Sequence, residues 1–186
     1  MTVAHPVLLV IDVQQGFLEP SWGPSSNPGC EDNIRSLLGL WREREWPVVL
    51  VRHYSWEENS PLGPGSPGAE FQEGIAGKSD LLVTKSVNSA FYGTPDLHHW
   101  LTEEGYRHLV VCGITTNHCC ETTARMAGNL GYQVTFVEDA TRAFDAHHPD
   151  GTIISASDIA RASCASLHGE FATVVSTAEL VVSLQS

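Results

Sequence analysis

The chain is predicted to be an α/β protein in which a mostly parallel sheet lies between two layers of helices. Three observations lead there. Short β-rich apolar runs alternate with longer helical patterns, the order expected of βαβ units. Runs such as "LLVI" and "VVLV" are apolar at every position, so their strands are buried on both faces. The 186 residues are enough for one sizeable core and suit a single domain, 1–186.

In chain order, strands are expected near Val7–Ile11, Val48–Val51, Leu81–Thr84, His108–Cys112, Gln133–Val137 and Ala172–Val175. Helices fit between them at Asn33–Glu45, at Pro95–Glu104 after a cap-like Thr94, at Cys119–Leu130, and at Ile153–Leu167 after the turn "HPDG". A short last helix starts after Ser176. The segment from Tyr54 to Gly77 contains "SPLGPGSPG" and matches neither period, so it reads as a long lid or binding loop.

Composition removes several functions. A net charge of −12 argues against nucleic acid, whose phosphates are held by clustered Lys and Arg. The apolar runs are strand-sized, far short of the ~20 residues of a membrane span. The start "MTVAHPVLLVID" has no basic region ahead of its apolar run, which suggests a cytoplasmic protein. Five irregularly spaced cysteines suit free thiols better than a disulfide framework.

Ligands of open α/β sheets sit beyond the carboxyl ends of the strands, where the strand order reverses. Asp12 ends the first strand, Lys85 ends the third, and Cys119 follows the fourth. Taken alone, Asp12 fits a turn cap, Lys85 a solvated side chain, and Cys119 a small core residue. Their joint placement on one sheet edge points to a site. A helix opening near Thr116 or Asn117 puts Cys119 in its first turn, where free amides favour a thiolate. Cys120 starts a different stripe with Ala124, Ala127 and Gly131, a small face suited to packing on a sheet.

The segments "LLVIDVQQGF", "TKSVNSAFYGT", "VVCGITTNHCCETTARMAGNLGY" and "VEDATRAFD", in this order and spacing, resemble the isochorismatase-like cysteine hydrolases. That family includes nicotinamidases, carbamoylsarcosine amidases and streptothricin hydrolases. The resemblance runs over nearly the whole chain and implies a three-layer α/β/α fold with six parallel strands in the order 3-2-1-4-5-6. It implies a catalytic triad of Asp12, Lys85 and Cys119, the cysteine following "GITTNH". The implied chemistry is hydrolysis of a non-peptide amide, lactam or ureido bond through a thioester. An isochorismatase-type vinyl ether cleavage and a non-catalytic role on the same fold are the alternatives. A cis peptide before Thr115, with the amides of Thr115 and Cys119 facing an oxyanion, is implied as well.

Metal-dependent nicotinamidases of the family carry Asp-x-His and a further His. Here "VRHYSWEENS" offers His53 without those partners, so neither metal nor other cofactor is expected. Phe17, Trp22, His53, Asn88, Phe91, Tyr92 and His118 are candidates to line a small-molecule pocket, although Phe17, Phe91 and Tyr92 serve equally well as hydrophobic plugs. The acidic balance, with Glu57, Glu58, Glu70 and Glu73 near the entrance, suits a cationic amide such as a streptothricin-type lactam, or else simple solubility. A homodimer or homotetramer is the expected assembly.

Overall fold

The computed structural model describes residues 5–185; the first four residues of the N-terminal stretch read above lie outside the described residues. Its strands are β1 (Val7–Ile11), β2 (Val48–His53), β3 (Leu81–Lys85), β4 (His108–Ile114), β5 (Gln133–Arg142), β6 (Ala146–His147), β7 (Ile153–Ile154) and β8 (Thr173–Val175). Six of them form one parallel sheet in the order β3-β2-β1-β4-β5-β8, while β6 and β7 make a separate antiparallel hairpin. The expected order is therefore found, with the hairpin inserted ahead of the last strand.

The two-sided burial of β1 explains its unbroken apolar run. Leu8 and Val10 pack with Ile34, Leu37 and Trp41 of α1 (Cys30–Glu43) on one face. Val7, Leu9 and Ile11 pack on the other with Leu97 and Leu101 of α2 (Leu97–Glu103), Ala124 and Ala127 of α3 (Glu121–Asn129), and Leu167 of α4 (Ala156–Leu167). Leu180 brings α5 (Thr177–Ser183) to the first face, and Ser176 with Glu179 closes a capping box at its start.

Several boundaries differ from the sequence reading for identifiable reasons. The helix α2 is capped by Asp96, whose carboxylate accepts from the His99 amide at 2.9 Å, so it begins two residues later than Pro95. Ile153 and Ile154 pair with β6, and Ser155 caps α4 by accepting from the Asp158 amide at 3.1 Å. The strand β5 runs on through the polar "EDATR" because the register shifts between Val111 and Gly113, letting Gly113 pair with Thr141 and Ile114 with Arg142. Gly113 has φ 134°, and a Cβ there would lie 2.0 Å from the Ile11 carbonyl oxygen. Only glycine lets β4 come this close to β1.

The long loop is pinned along the end of β1. Its Phe71 bridges Gln14, the Gln15 amide donates to the Glu70 carbonyl at 2.8 Å, and the Gln72 amide donates to the Val13 carbonyl at 3.0 Å. The Gln72 side chain adds a bond to the Gln14 carbonyl at 3.1 Å. No helix among the described residues is long and apolar enough to cross a membrane.

Candidate active site

Three strands deliver the site. Asp12 follows β1 with φ 53°, a left-handed conformation that an aspartate tolerates better than most residues and that turns the chain out of the sheet. Lys85 is the last residue of β3, paired in register with His53 at the end of β2. Beyond β4 the Ile114–Thr115 peptide is cis, as the resemblance implies. The chain then makes one π-helical turn, Thr116–Cys120, that leads directly into α3. Such turns recur at functional sites.

The lysine is the hub. Its Nζ lies 2.5 Å from Asp12 Oδ2, 3.1 Å from His53 Nδ1 and 3.3 Å from Cys119 Sγ, so its three protons meet three acceptors. Asp12 and Lys85 are both buried, which makes their ion pair unscreened by water. The second carboxylate oxygen, Asp12 Oδ1, has no hydrogen-bond partner among the described residues. The Cys119 sulfur also approaches Asn88 Oδ1 at 3.7 Å.

Charge and burial oppose each other here. Burial pulls the Lys85 ammonium down, but the Asp12 carboxylate and the Cys119 sulfur outweigh it and hold its pKa above the ordinary lysine value. Burial, reinforced by Asp12, pushes the Cys119 thiol far above its usual range, and Lys85 offsets this only in part. Burial and Asp12 thus oppose the thiolate that the amides of the turn were expected to favour. Cys119 is only 7% exposed, in a short turn ahead of α3, where lost hydration and a neighbouring carboxylate outweigh the amides of the turn. The arrangement instead supports a thiol whose proton moves to Asp12 as the sulfur attacks, leaving the total charge unchanged.

The chemistry opens into a cleft of about 500 Å³. Phe17, Trp22, His53, Asn88, Thr115, His118 and Cys119 all border it. Trp22 is fixed by donating its indole N–H to the Gly16 carbonyl at 2.8 Å, and its ring stacks with Phe144 at 5.1 Å. His118 is held by Thr115 Oγ1 at 3.1 Å.

Phe91 and Tyr92 are not part of the cleft. The turn after β3 is tied to α3 by the Ala90 amide donating to Thr123 Oγ1 at 3.1 Å, and neither ring borders the cleft. Phe91 stacks on Tyr132 at 5.9 Å, and Tyr92 is 71% exposed. Gly131 likewise leaves the stripe of Cys120, Ala124 and Ala127, because it sits past α3 with φ 85°. Glu57 and Glu58 border the cleft mouth, whereas Glu70 and Glu73 do not. Ser55, Asn59, Ser60, Pro61 and Leu62 complete the wall. Only the length and glycine–proline content of their loop marks them in the sequence.

Asp12, His53 and Cys119 offer ligand atoms within 4.8 Å of one another, but the Lys85 ammonium already bonds all three. A zinc ion needs ligands at ~2.0–2.3 Å with free lone pairs, so this donor set fits an ammonium and not a metal. The loop carboxylates Glu57 and Glu58 join no metal-holding group with His53 among the described residues.

Comparison with known proteins agrees with this geometry. A family model described as an isochorismatase domain matches residues 6–179. A solved structure of an isochorismatase-family protein from Chromobacterium violaceum is 38% identical, with TM-score 0.93, covering 100% of this chain and 96% of that one. A cysteine hydrolase from Pseudomonas syringae pv. phaseolicola is 28% identical with TM-score 0.86, covering 97% and 92%. Nicotinamidase 3 of Arabidopsis thaliana is 30% identical over 80% of this chain and 78% of its own. With the sheet order and the family match covering most of its length, the chain belongs to the isochorismatase family.

Proposed function

We propose that the protein is a cysteine-dependent hydrolase that cleaves a non-peptide carbon–nitrogen bond (amide, lactam or ureido) in a small molecule. The observation that carries this reading is the Lys85 Nζ placed between Asp12 Oδ2 and Cys119 Sγ at 2.5 Å and 3.3 Å, beside an unpartnered Asp12 Oδ1. In the reading, Asp12 takes the thiol proton and the sulfur attacks the carbonyl carbon. Lys85 stays charged and compensates the anionic partner, whichever it is. The amides of Thr115 and Cys119 receive the oxyanion. The carbon–nitrogen bond then breaks, the amine leaves with the proton from Asp12, and a thioester remains. Water, deprotonated by Asp12, attacks the thioester, and the carboxylic acid departs as the thiol regains its proton.

The names of the cysteine hydrolase and of the nicotinamidase among its relatives support both halves of this reading. The substrate is a small amide of neutral or positive charge, because Glu57 and Glu58 border the cleft while no lysine or arginine does so among the described residues. A streptothricin-type lactam is one member of that class. The test is release of ammonia or amine from an amide panel, with trapping of an acyl adduct on Cys119. A protein that instead converts isochorismate, with Cys119→Ala still active, refutes the proposal.

A further inference from the structure

His53 stands where the active-site lysine meets the cleft, and the triad makes no use of it. Its backbone is clamped at both ends by one side chain. Gln14 Oε1 accepts from the His53 amide at 2.8 Å, and Gln14 Nε2 donates to the His53 carbonyl at 3.0 Å. The ring places Nδ1 3.1 Å from Lys85 Nζ, and the residue borders the cleft. The ring makes its one hydrogen bond through Nδ1, and none through Nε2 among the described residues.

An ammonium can only donate. Lys85 therefore makes Nδ1 an acceptor, which leaves the ring proton of a neutral imidazole on Nε2. We propose that His53 is held as the neutral Nε2–H tautomer by Lys85 and presents that N–H to the cleft as a hydrogen-bond donor for a lone pair on the substrate beside the scissile bond. The role as substrate donor rests on the hydrolase reading above; the tautomer does not. Burial and the Lys85 ammonium both hold the ring below the ordinary histidine pKa, against the opposing pull of Asp12 and Glu57. A ring so fixed has no free lone pair for a metal, which agrees with the donor set described above.

Two isosteres separate the two ends of the ring. In His53→Asn, Oδ1 takes the place of Nδ1 as acceptor for Lys85, but nothing reaches the cleft. In His53→Gln, the amide nitrogen reaches the position of Nε2 while the acceptor is lost. The expected result is that the Asn variant keeps the wild-type rate of Cys119 alkylation yet loses about tenfold or more in kcat/KM on the amide turned over, as for removal of one oriented donor. The Gln variant recovers the larger part of that loss. Nitrogen-15 spectra of histidine-labelled protein, with His53 assigned by its absence in the Asn variant, are expected to show the neutral Nε2–H form at neutral pH and to keep it to lower pH than an ordinary histidine does. An Nδ1–H form, a cation titrating near the ordinary value of 6.5, or an Asn variant with wild-type kcat/KM overturns the inference. Absence of any amide turnover by the wild type overturns the hydrolase reading instead, and the spectra still decide the tautomer.

Discussion

Asp12 and Lys85 form an ion pair of 2.5 Å between two side chains with no solvent exposure. Removing one partner leaves the other charged and dry, so Lys85→Met is expected to lower stability by ~3–5 kcal/mol. Denaturant unfolding measures it. A loss under about 1 kcal/mol would show that water reaches Asp12.

Asp12→Asn separates activation from catalysis. Burial and the carboxylate raise the Cys119 pKa and the lysine lowers it, so the asparagine variant leaves burial alone against the lysine. Alkylation of Cys119 near neutral pH should become faster than in the wild type, while amide turnover falls by a factor of ~10² or more for want of a proton acceptor. Slower alkylation in this variant would mean that Asp12 supports the thiolate rather than opposing it.

The two adjacent cysteines are expected to part company. Cys119→Ala should abolish turnover with little change in unfolding. Cys120 is fully buried against Ala124 and Ala127, so Cys120→Ala should retain activity and lose on the order of 1 kcal/mol of stability. Activity surviving in the first variant and vanishing in the second would reverse the assignment.

Alkaline pH should weaken the fold. Burial raises the thiols of Cys30, Cys112, Cys119 and Cys120, and that of Cys164 to about 11, from an ordinary value of 9.0. A group that holds its proton more tightly when folded stabilises the native state fully below its unfolded pKa and loses this contribution as pH climbs above it. The unfolding midpoint should therefore decline beyond about pH 8.5, and replacing Cys112 or Cys120 by alanine should flatten the decline. An unchanged midpoint at about pH 10 counts against the burial of these thiols.

Glu57 and Glu58 at the cleft mouth should favour cations. The Glu57→Gln, Glu58→Gln double variant is expected to lower kcat/KM for a cationic amide several-fold at low salt and to leave a neutral one of similar size unchanged. Equal effects on both substrates would point to packing rather than charge.

The convergence of Asp12, Lys85 and Cys119 could be read from the sequence because all three lie at strand ends and the parallel topology carries strand ends to one edge; their triad role came only from the resemblance. The strands themselves were legible from runs that are apolar at every position. The extension of β5 was not, since "EDATR" is polar and pairs only because Gly113 brings β4 against β1. Of the two readings open for Phe91 the structure takes the plug, against Tyr132, while Tyr92 is neither plug nor pocket wall; the turn that carries them is tied to Thr123, remote in sequence. His53 was recognised as a candidate, but its clamp by Gln14 and its contact with Lys85 join three strand ends and carry no local pattern.

The segment after β2 is fastened to the end of β1 by the Gln14, Gln15 and Gln72 bonds, and its Pro61 and Leu62 lie against Gly16, where a Cβ would come 2.9 Å from Leu62 Cδ2. Residues 69–72 cannot leave the end of β1 without breaking those bonds together. For the hydrolase proposed above, selection among amides would then rest on whether a molecule fits past Trp22 and the acidic rim.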